Sequence, residues 1–234
     1  MAVKKVELTG IGLVTLVKSS QSRSIRLSVT AKGVRVSMPT WTPYSAGSAF
    51  ALSHTGWIQA ELNKQQTNLL EAGQRVGKLH YLRFEHVLSN QAVTSRVTGT
   101  EVIVRMHTHE QSTDDAVQTR AHQAAARALK REAEILLPPR LSNLAKTHGL
   151  TYNSVSVKSL KRRWGSCSSH QDITFNLYLM ELAWEYIDYV ICHELAHTKQ
   201  MNHGPDFWAL LVQMNPRARD LSRTLRKRQP VVGE

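Results

Sequence analysis

His193-Glu194-Leu195-Ala196-His197 holds two imidazoles four residues apart with a carboxylate between them, and a third imidazole, His203, follows six residues later. On a helix, residues four apart differ by about 40° in direction and about 6 Å in height. His193 and His197 therefore project from one face at a separation that a single metal ion spans. Glu194 lies about 100° round from His193, placed to reach a water on that ion without ligating it. A continuous helix would carry His203 about 15 Å beyond His193 and onto another side. For three imidazoles to share an ion, the helix must end after His197 and the chain must double back. The sequence supplies such signals: Asn202 suits a left-handed helix end, Gly204 interrupts the helix, and Pro205-Asp206 suits the first turn of a new one.

Three imidazoles with one open position is the catalytic arrangement of zinc, whereas a structural site is usually closed by four protein ligands. The expected cofactor is one Zn2+ ion on His193, His197 and His203, although imidazoles alone also admit other transition metals. Cys167 is the one candidate for a fourth ligand that would close the site. With the position open, the metal lowers the pKa of its water from about 15.7 toward 7. Glu194 then takes the proton as the water attacks a carbonyl, and passes it to the leaving amine. Peptide hydrolysis is the reaction this motif most often serves.

Other residues offer weaker chemistry. Lys161–Ser169 combines cations, Trp164 and small hydroxyl residues. It reads equally as the wall of a substrate groove, with a strand offering backbone pairing to an extended peptide, and as a tight turn with Trp164 in the core. His170 is a lone loop histidine. His107 and His109, two apart on an expected strand, form a minor second metal candidate. Phe207 and Trp208 are expected to pack the final helix under the site.

The elements that must position these residues follow from periodicity. Residues 3–39 alternate as strands, with Leu13–Val17, Ile25–Val29 and Gly33–Met38 reading as an antiparallel meander. Residues 45–70 read as a helix anchored by Trp57. Leu79–Leu88 and Glu101–His107 read as strands, the latter with Val102, Val104 and Met106 on one face. A helix over 113–136 is expected to break or kink at Pro138-Pro139, followed by a second helix to His148. Strands at Ser154–Leu160 and Asp172–Asn176 flank the loop 165–171. The metal helix spans 183–199 and a last helix Pro205–Met214, before an arginine-rich tail. This divides the chain into a β-rich N-terminal region with one helix (1–110), a core (111–216) and a basic tail (217–234).

Composition narrows the partners. The chain has 234 residues, 41% of them hydrophobic, which suits a folded core. Its longest apolar runs fall far short of the ~20 residues of a membrane span. The N-terminus reads as a strand rather than a signal peptide, because Glu7, Thr9 and two glycines interrupt its apolar part. Two cysteines make no disulfide framework. Together these place the protein in the cytoplasm, with no membrane partner; oligomeric state is left unassigned. Thirty Lys and Arg against 18 Asp and Glu leave a net charge of +12. Nucleic acid or acidic surfaces are therefore candidate partners beside a protein or peptide substrate.

The run Arg162–Ser169, then Ile173-x-Phe175-Asn176, then Ile187–His197, then Met201–Trp208 resembles the YgjP-like metallopeptidase family, relatives of the SprT-like proteases. The likeness covers about residues 115–220. It implies an α+β zincin-like core, with a small antiparallel sheet packed on the metal-binding helix and a β-rich part before it. It carries the zinc ligands over to His193, His197 and His203, and the catalytic acid/base to Glu194. It also leads one to expect a glycine near Gln171, a Trp-Arg pair near Leu177-Tyr178 and a proline near Trp184, and the chain departs at all three. SprT-like relatives include proteases of DNA-crosslinked proteins, which with the charge raises a narrower reading, a DNA-stimulated protease. Two other readings compete with a zinc peptidase: a nucleic-acid-associated protein whose metal site is structural, and a zinc amidohydrolase acting on a non-peptide bond.

Overall fold

The computed structural model describes residues 2–30, 33–67, 69–88 and 92–228. Its contacts gather into two compact units, Met1–Leu69 and Leu70–Glu234.

In the first unit, β1 (Ala2–Leu8), β2 (Gly12–Lys18), β3 (Arg26–Thr30) and β4 (Gly33–Met38) form one sheet in the order β1-β2-β4-β3. The expected meander is not formed: β2 and β4 pair in parallel, from Val14↔Val34 to Lys18↔Met38. Burial accounts for this. Val14, Leu16, Val34, Val36 and Met38 are buried, so the two most apolar strands take the centre. β3, with no fully buried residue among 26–29, takes an edge. The expected single helix is two, α1 (Tyr44–Ser53) and α2 (Thr55–Thr67). Trp57 does not anchor them: it is 48% exposed, and Ala51 and Ile58 pack the core instead.

The second unit contains two sheets. β5 (Arg75–Val76), β6 (His80–Val87), β7 (Thr94–Val97) and β8 (Glu101–His107) are ordered β5-β6-β8-β7. Val102, Val104 and Met106 of β8 are buried on one face, as their alternation predicts. Across the sheet lies α3 (Asp115–His148), whose small residues Ala121, Ala124 and Ala128 are completely buried. Thus β8 and α3, on either side of residue 110, share one core.

Pro138 and Pro139 neither end α3 nor divide it. Each removes one backbone donor, freeing the carbonyls of Glu134 and Ile135. Both of those residues are exposed, so the freed carbonyls lie on the solvent side of the helix, while Leu137 and Leu141 hold it on the core. Gly149 then ends α3 in the left-handed conformation, φ 64°, with Leu150 N–H donating to the Ala145 carbonyl at 2.9 Å.

The second sheet positions the histidines. β9 (Ser154–Lys158), β10 (Gly165–Cys167) and β11 (Asp172–Asn176) are ordered β10-β11-β9. β11 runs antiparallel to β10 but parallel to β9, so the expected antiparallel sheet is mixed. The chain returns through 159–164 before the β10–β11 hairpin, and this sets β9 and β11 in one direction. Gln171 closes that hairpin with φ 60°, and it is the only described non-glycine residue with positive φ. A 3-10 segment (Leu177–Glu181) leads into α4 (Trp184–His197), followed by α5 (Pro205–Met214) and α6 (Ala218–Leu225). The stretch 218–225, part of the expected tail, is therefore a helix with Ala218, Leu221 and Leu225 buried; residues 229–234 of that tail lie outside the described residues.

Candidate metal centre and its cleft

α4 is helical because Ile187, Val190, Ile191 and Leu195 recur at three- and four-residue spacing and are buried against the core. That burial turns His193 and His197 toward the opposite side. The helix stops at His197, and Gln200 N–H still reaches back to the Ala196 carbonyl at 2.9 Å. Asn202 does not take the expected left-handed conformation; Gly204 precedes α5 with extended backbone instead. Pro205 begins α5 with Asp206 in its first turn, as their chemistry favours. This turn brings His203 back over α4.

The result is a triangle of imidazoles. His193, His197 and His203 each offer a ring nitrogen, all within 4.8 Å of one another. Nε2 of His193 and Nε2 of His203 lie 3.1 Å apart. Two nitrogens on a tetrahedral zinc at ordinary bond lengths sit about 3.3 Å apart. Phe207, fully buried, forms a floor, its ring 4.6–5.0 Å from all three imidazole centroids. Trp208 is half-buried and lines the cleft beside it.

The chain also sets the state of the rings. Nδ1 of His197 lies 3.0 Å from the Gln200 carbonyl, so its N–H donates there and leaves Nε2 with a free lone pair. Burial, reinforced by His197 and His203, pushes His193 down to about 3. His197 is also lowered, chiefly by burial. At neutral pH both are uncharged and ready as ligands. The Tyr189 hydroxyl lies 3.5 Å from His193 Nδ1 and also bonds Ser222. Tyr189 was not singled out from sequence, although its position four residues before His193 places it on the same helix face.

Glu194 is 4% exposed, and no described residue hydrogen-bonds its carboxyl. Burial pushes it up to about 8, against an opposing pull from Arg163. Gly165 of β10 approaches so closely that a Cβ there would lie 2.7 Å from Glu194 Oε1. Gly165 thus lets the strand pass over the carboxylate.

Cys167 stays outside the imidazole group, which is the only set of three or more potential ligands among the described residues. Its thiol is pushed up to about 11 by burial, then by Glu194 and Asp172, and it donates to the Ser168 carbonyl. His107 ends β8 and His109 follows in a turn; their rings stack at 5.3 Å with no third ligand. His170 is exposed in the β10–β11 turn and does not line the cleft.

A cleft of about 650 Å³ opens beside the triangle. His193, His203 and Glu194 form part of its lining, with Tyr189 next to them. Arg162, Arg163 and Trp164 form another part, so the Lys161–Ser169 run contributes to the wall. Trp164 also packs against the core, so both of its sequence readings hold in part. Leu225, Arg226 and Arg228, in or just beyond α6, complete the wall. Sequence reasoning missed these because the charges of 217–228 masked the apolar spacing of Ala218, Leu221 and Leu225.

A family model described as YgjP-like, metallopeptidase domain, matches residues 23–228. Two crystal structures are similar over part of the chain. The metallopeptidase zymogen of Pyrococcus abyssi abylysin is 26% identical, covering 37% of this chain and 90% of its own, with a TM-score of 0.34. The metallopeptidase zymogen of Methanocaldococcus jannaschii jannalysin is 21% identical with the same coverage and a TM-score of 0.33. No curated protein matches the chain.

Proposed function

We propose, since the chain belongs to the YgjP-like metallopeptidase family, that it is a zinc-dependent peptidase in which His193, His197 and His203 hold one Zn2+ ion and Glu194 is the general base. The observation that carries this reading is the imidazole triangle at the side of a cleft, with a donor-free carboxylate in the same lining as His193 and His203. The donor set fits the ion: three imidazoles converge, the nitrogens of His193 and His203 near tetrahedral spacing, with no protein ligand in a fourth position among the described residues. When bound, zinc supplies Lewis acidity, lowering the pKa of a water and polarising the substrate carbonyl.

The remaining work falls to the chain. Glu194 takes a proton at a carboxyl oxygen as the water attacks, and releases it to the departing amine. A carboxyl raised toward neutrality serves both directions of that transfer. Gly165 lets β10 pass close over Glu194, and the apolar ring of Phe207 packs beneath the imidazoles. β10 is an edge strand beside the cleft, so an extended peptide can pair with its backbone. The partner is then a protein or peptide substrate. Two free cysteines favour a reducing, cytoplasmic setting, and no described helix is long and apolar enough to cross a membrane.

The test is cleavage of an unstructured protein by metal-free and zinc-restored enzyme, with a Glu194→Gln control. Activity lost on chelation, restored by zinc and absent from the control is expected. Equal cleavage by the control would show that Glu194 is not the base. Cleavage of a small amide without any cleavage of peptides would favour an amidohydrolase.

A further inference from the structure

Five arginines of the second unit are held by carboxylates, and four that are not meet in the cleft. Arg83, Arg105, Arg140, Arg217 and Arg223 each have a carboxylate partner, as in Arg217 Nη1 to Glu185 at 2.7 Å. Four others, Arg162, Arg163, Arg226 and Arg228, line the cleft. None of these four makes an ion pair with a carboxylate among the described residues, and Arg228 instead stacks its guanidinium 5.5 Å over the Tyr186 ring. Glu194 is the one acidic residue in the same lining. The two pairs are far apart in sequence, yet Trp164 Nε1 donates to the Arg228 carbonyl at 3.2 Å and joins their segments at one wall. The fold thus gathers four cations beside the centre and, apart from Glu194, places no carboxylate in the same lining.

Guanidinium groups left without a carboxylate partner recognise carboxylates by paired N–H donors. We infer that this wall is a specificity subsite for acidic side chains, and that the enzyme prefers peptides carrying Asp or Glu close to the scissile bond. The inference rests on the peptidase reading but concerns only which peptides the site takes. Four cations from two loops suit a chain with several carboxylates better than one with a single charge.

Zinc-loaded Glu194→Gln protein, full length, is titrated with three fluorescent end-blocked peptides that differ only in having Glu, Gln or Lys at the same positions. Blocked ends remove the terminal carboxylate as a source of binding. The Glu peptide is expected to bind at least about 10-fold more tightly than the Gln peptide at low salt. The preference should shrink in 0.5 M salt and vanish when Arg162→Gln and Arg226→Gln are added. Both arginines are exposed, and an unchanged circular dichroism melt shows that the variant is folded. In the active enzyme the same pair should raise KM for the Glu peptide and leave kcat within about twofold. Equal affinity for Glu and Gln peptides, or a Glu preference that survives the double substitution, overturns the inference. So does a single-stranded oligonucleotide of equal charge that displaces the Glu peptide and binds more tightly. If zinc-loaded wild type cleaves none of the peptides while the binding preference stands, the peptidase reading fails and the acidic subsite remains.

Discussion

Two glutamates of the second unit are withdrawn from water beneath a glycine, and their surroundings assign them opposite work. Glu132 on α3 is fully buried. Its Oε1 accepts from Leu79 N–H at 2.8 Å, from His80 N–H at 3.2 Å and from the His80 ring at 2.6 Å. Its Oε2 accepts from Lys78 N–H at 2.5 Å. Gly77, at φ 65°, passes so near that a Cβ would lie 2.2 Å from Oε2. Glu194 has almost the same burial and a similar glycine cover in Gly165, yet no described residue donates to it. A buried carboxylate with four donors is a pin holding a loop to a helix. A buried carboxylate without donors keeps its acceptor capacity for a proton. Depth alone therefore does not mark a catalytic acid; the count of donors around it does.

The contrast can be broken most directly at Glu194. Glu194→Gln should lower peptide hydrolysis by about 1000-fold or more, while the melting temperature holds or rises because an unpaired buried carboxyl has been removed. Turnover and melting measured on one preparation decide this, and a large loss of stability would make Glu194 a pin after all. Gly165→Ala pushes against Glu194 Oε1 and should cost about 100-fold in kcat through misplacement of the base, again with little change in melting. Glu132→Gln should behave in reverse. It removes charge-assisted bonds and should cost about 2 kcal/mol in urea unfolding, with the specific activity of the folded protein unchanged. The smallest effect sharpens the charge state of Glu194. Cys167, raised first by burial and then by Glu194, should alkylate about threefold faster in zinc-free Glu194→Gln protein at pH 9 than in zinc-free wild type. Above about pH 8 the wild-type carboxylate is charged and disfavours the thiolate; below it Glu194 is protonated and the two rates should converge.

What was legible in the sequence depended on short-range geometry. His193, Glu194 and His197 lie within one helical turn and a half, and Pro205-Asp206 marks the new helix locally, so the triangle could be anticipated from spacing. The parallel pairing of β2 with β4 could not, because strand order is decided by which strands bury most, a property of the assembled sheet. Pro138-Pro139 misled for a related reason. The local rule that proline breaks a helix is overridden where core residues on both sides of the pair hold it and the freed carbonyls face water. Donors to a carboxylate are equally invisible: Lys78 and His80 reach Glu132 from more than fifty residues away. Arg162 and Arg163 were legible as part of a candidate groove wall, but their meeting with Arg226 and Arg228 was not, since the two segments come together only through the fold.

The same paired prolines have a consequence in time. Residues 138 and 139 carry no exchangeable amide, and the two halves of α3 are tethered to different neighbours. The first half is tied to the β7 side by Arg120 to the Val93 carbonyl at 3.1 Å and Arg127 to Ser95 Oγ at 2.7 Å. The second half is tied to α4 by Arg140 to Asp188 Oδ2 at 2.6 Å. In hydrogen–deuterium exchange α3 should therefore keep two clocks, its early amides following the four-stranded sheet and its late amides following the helix that carries the histidines.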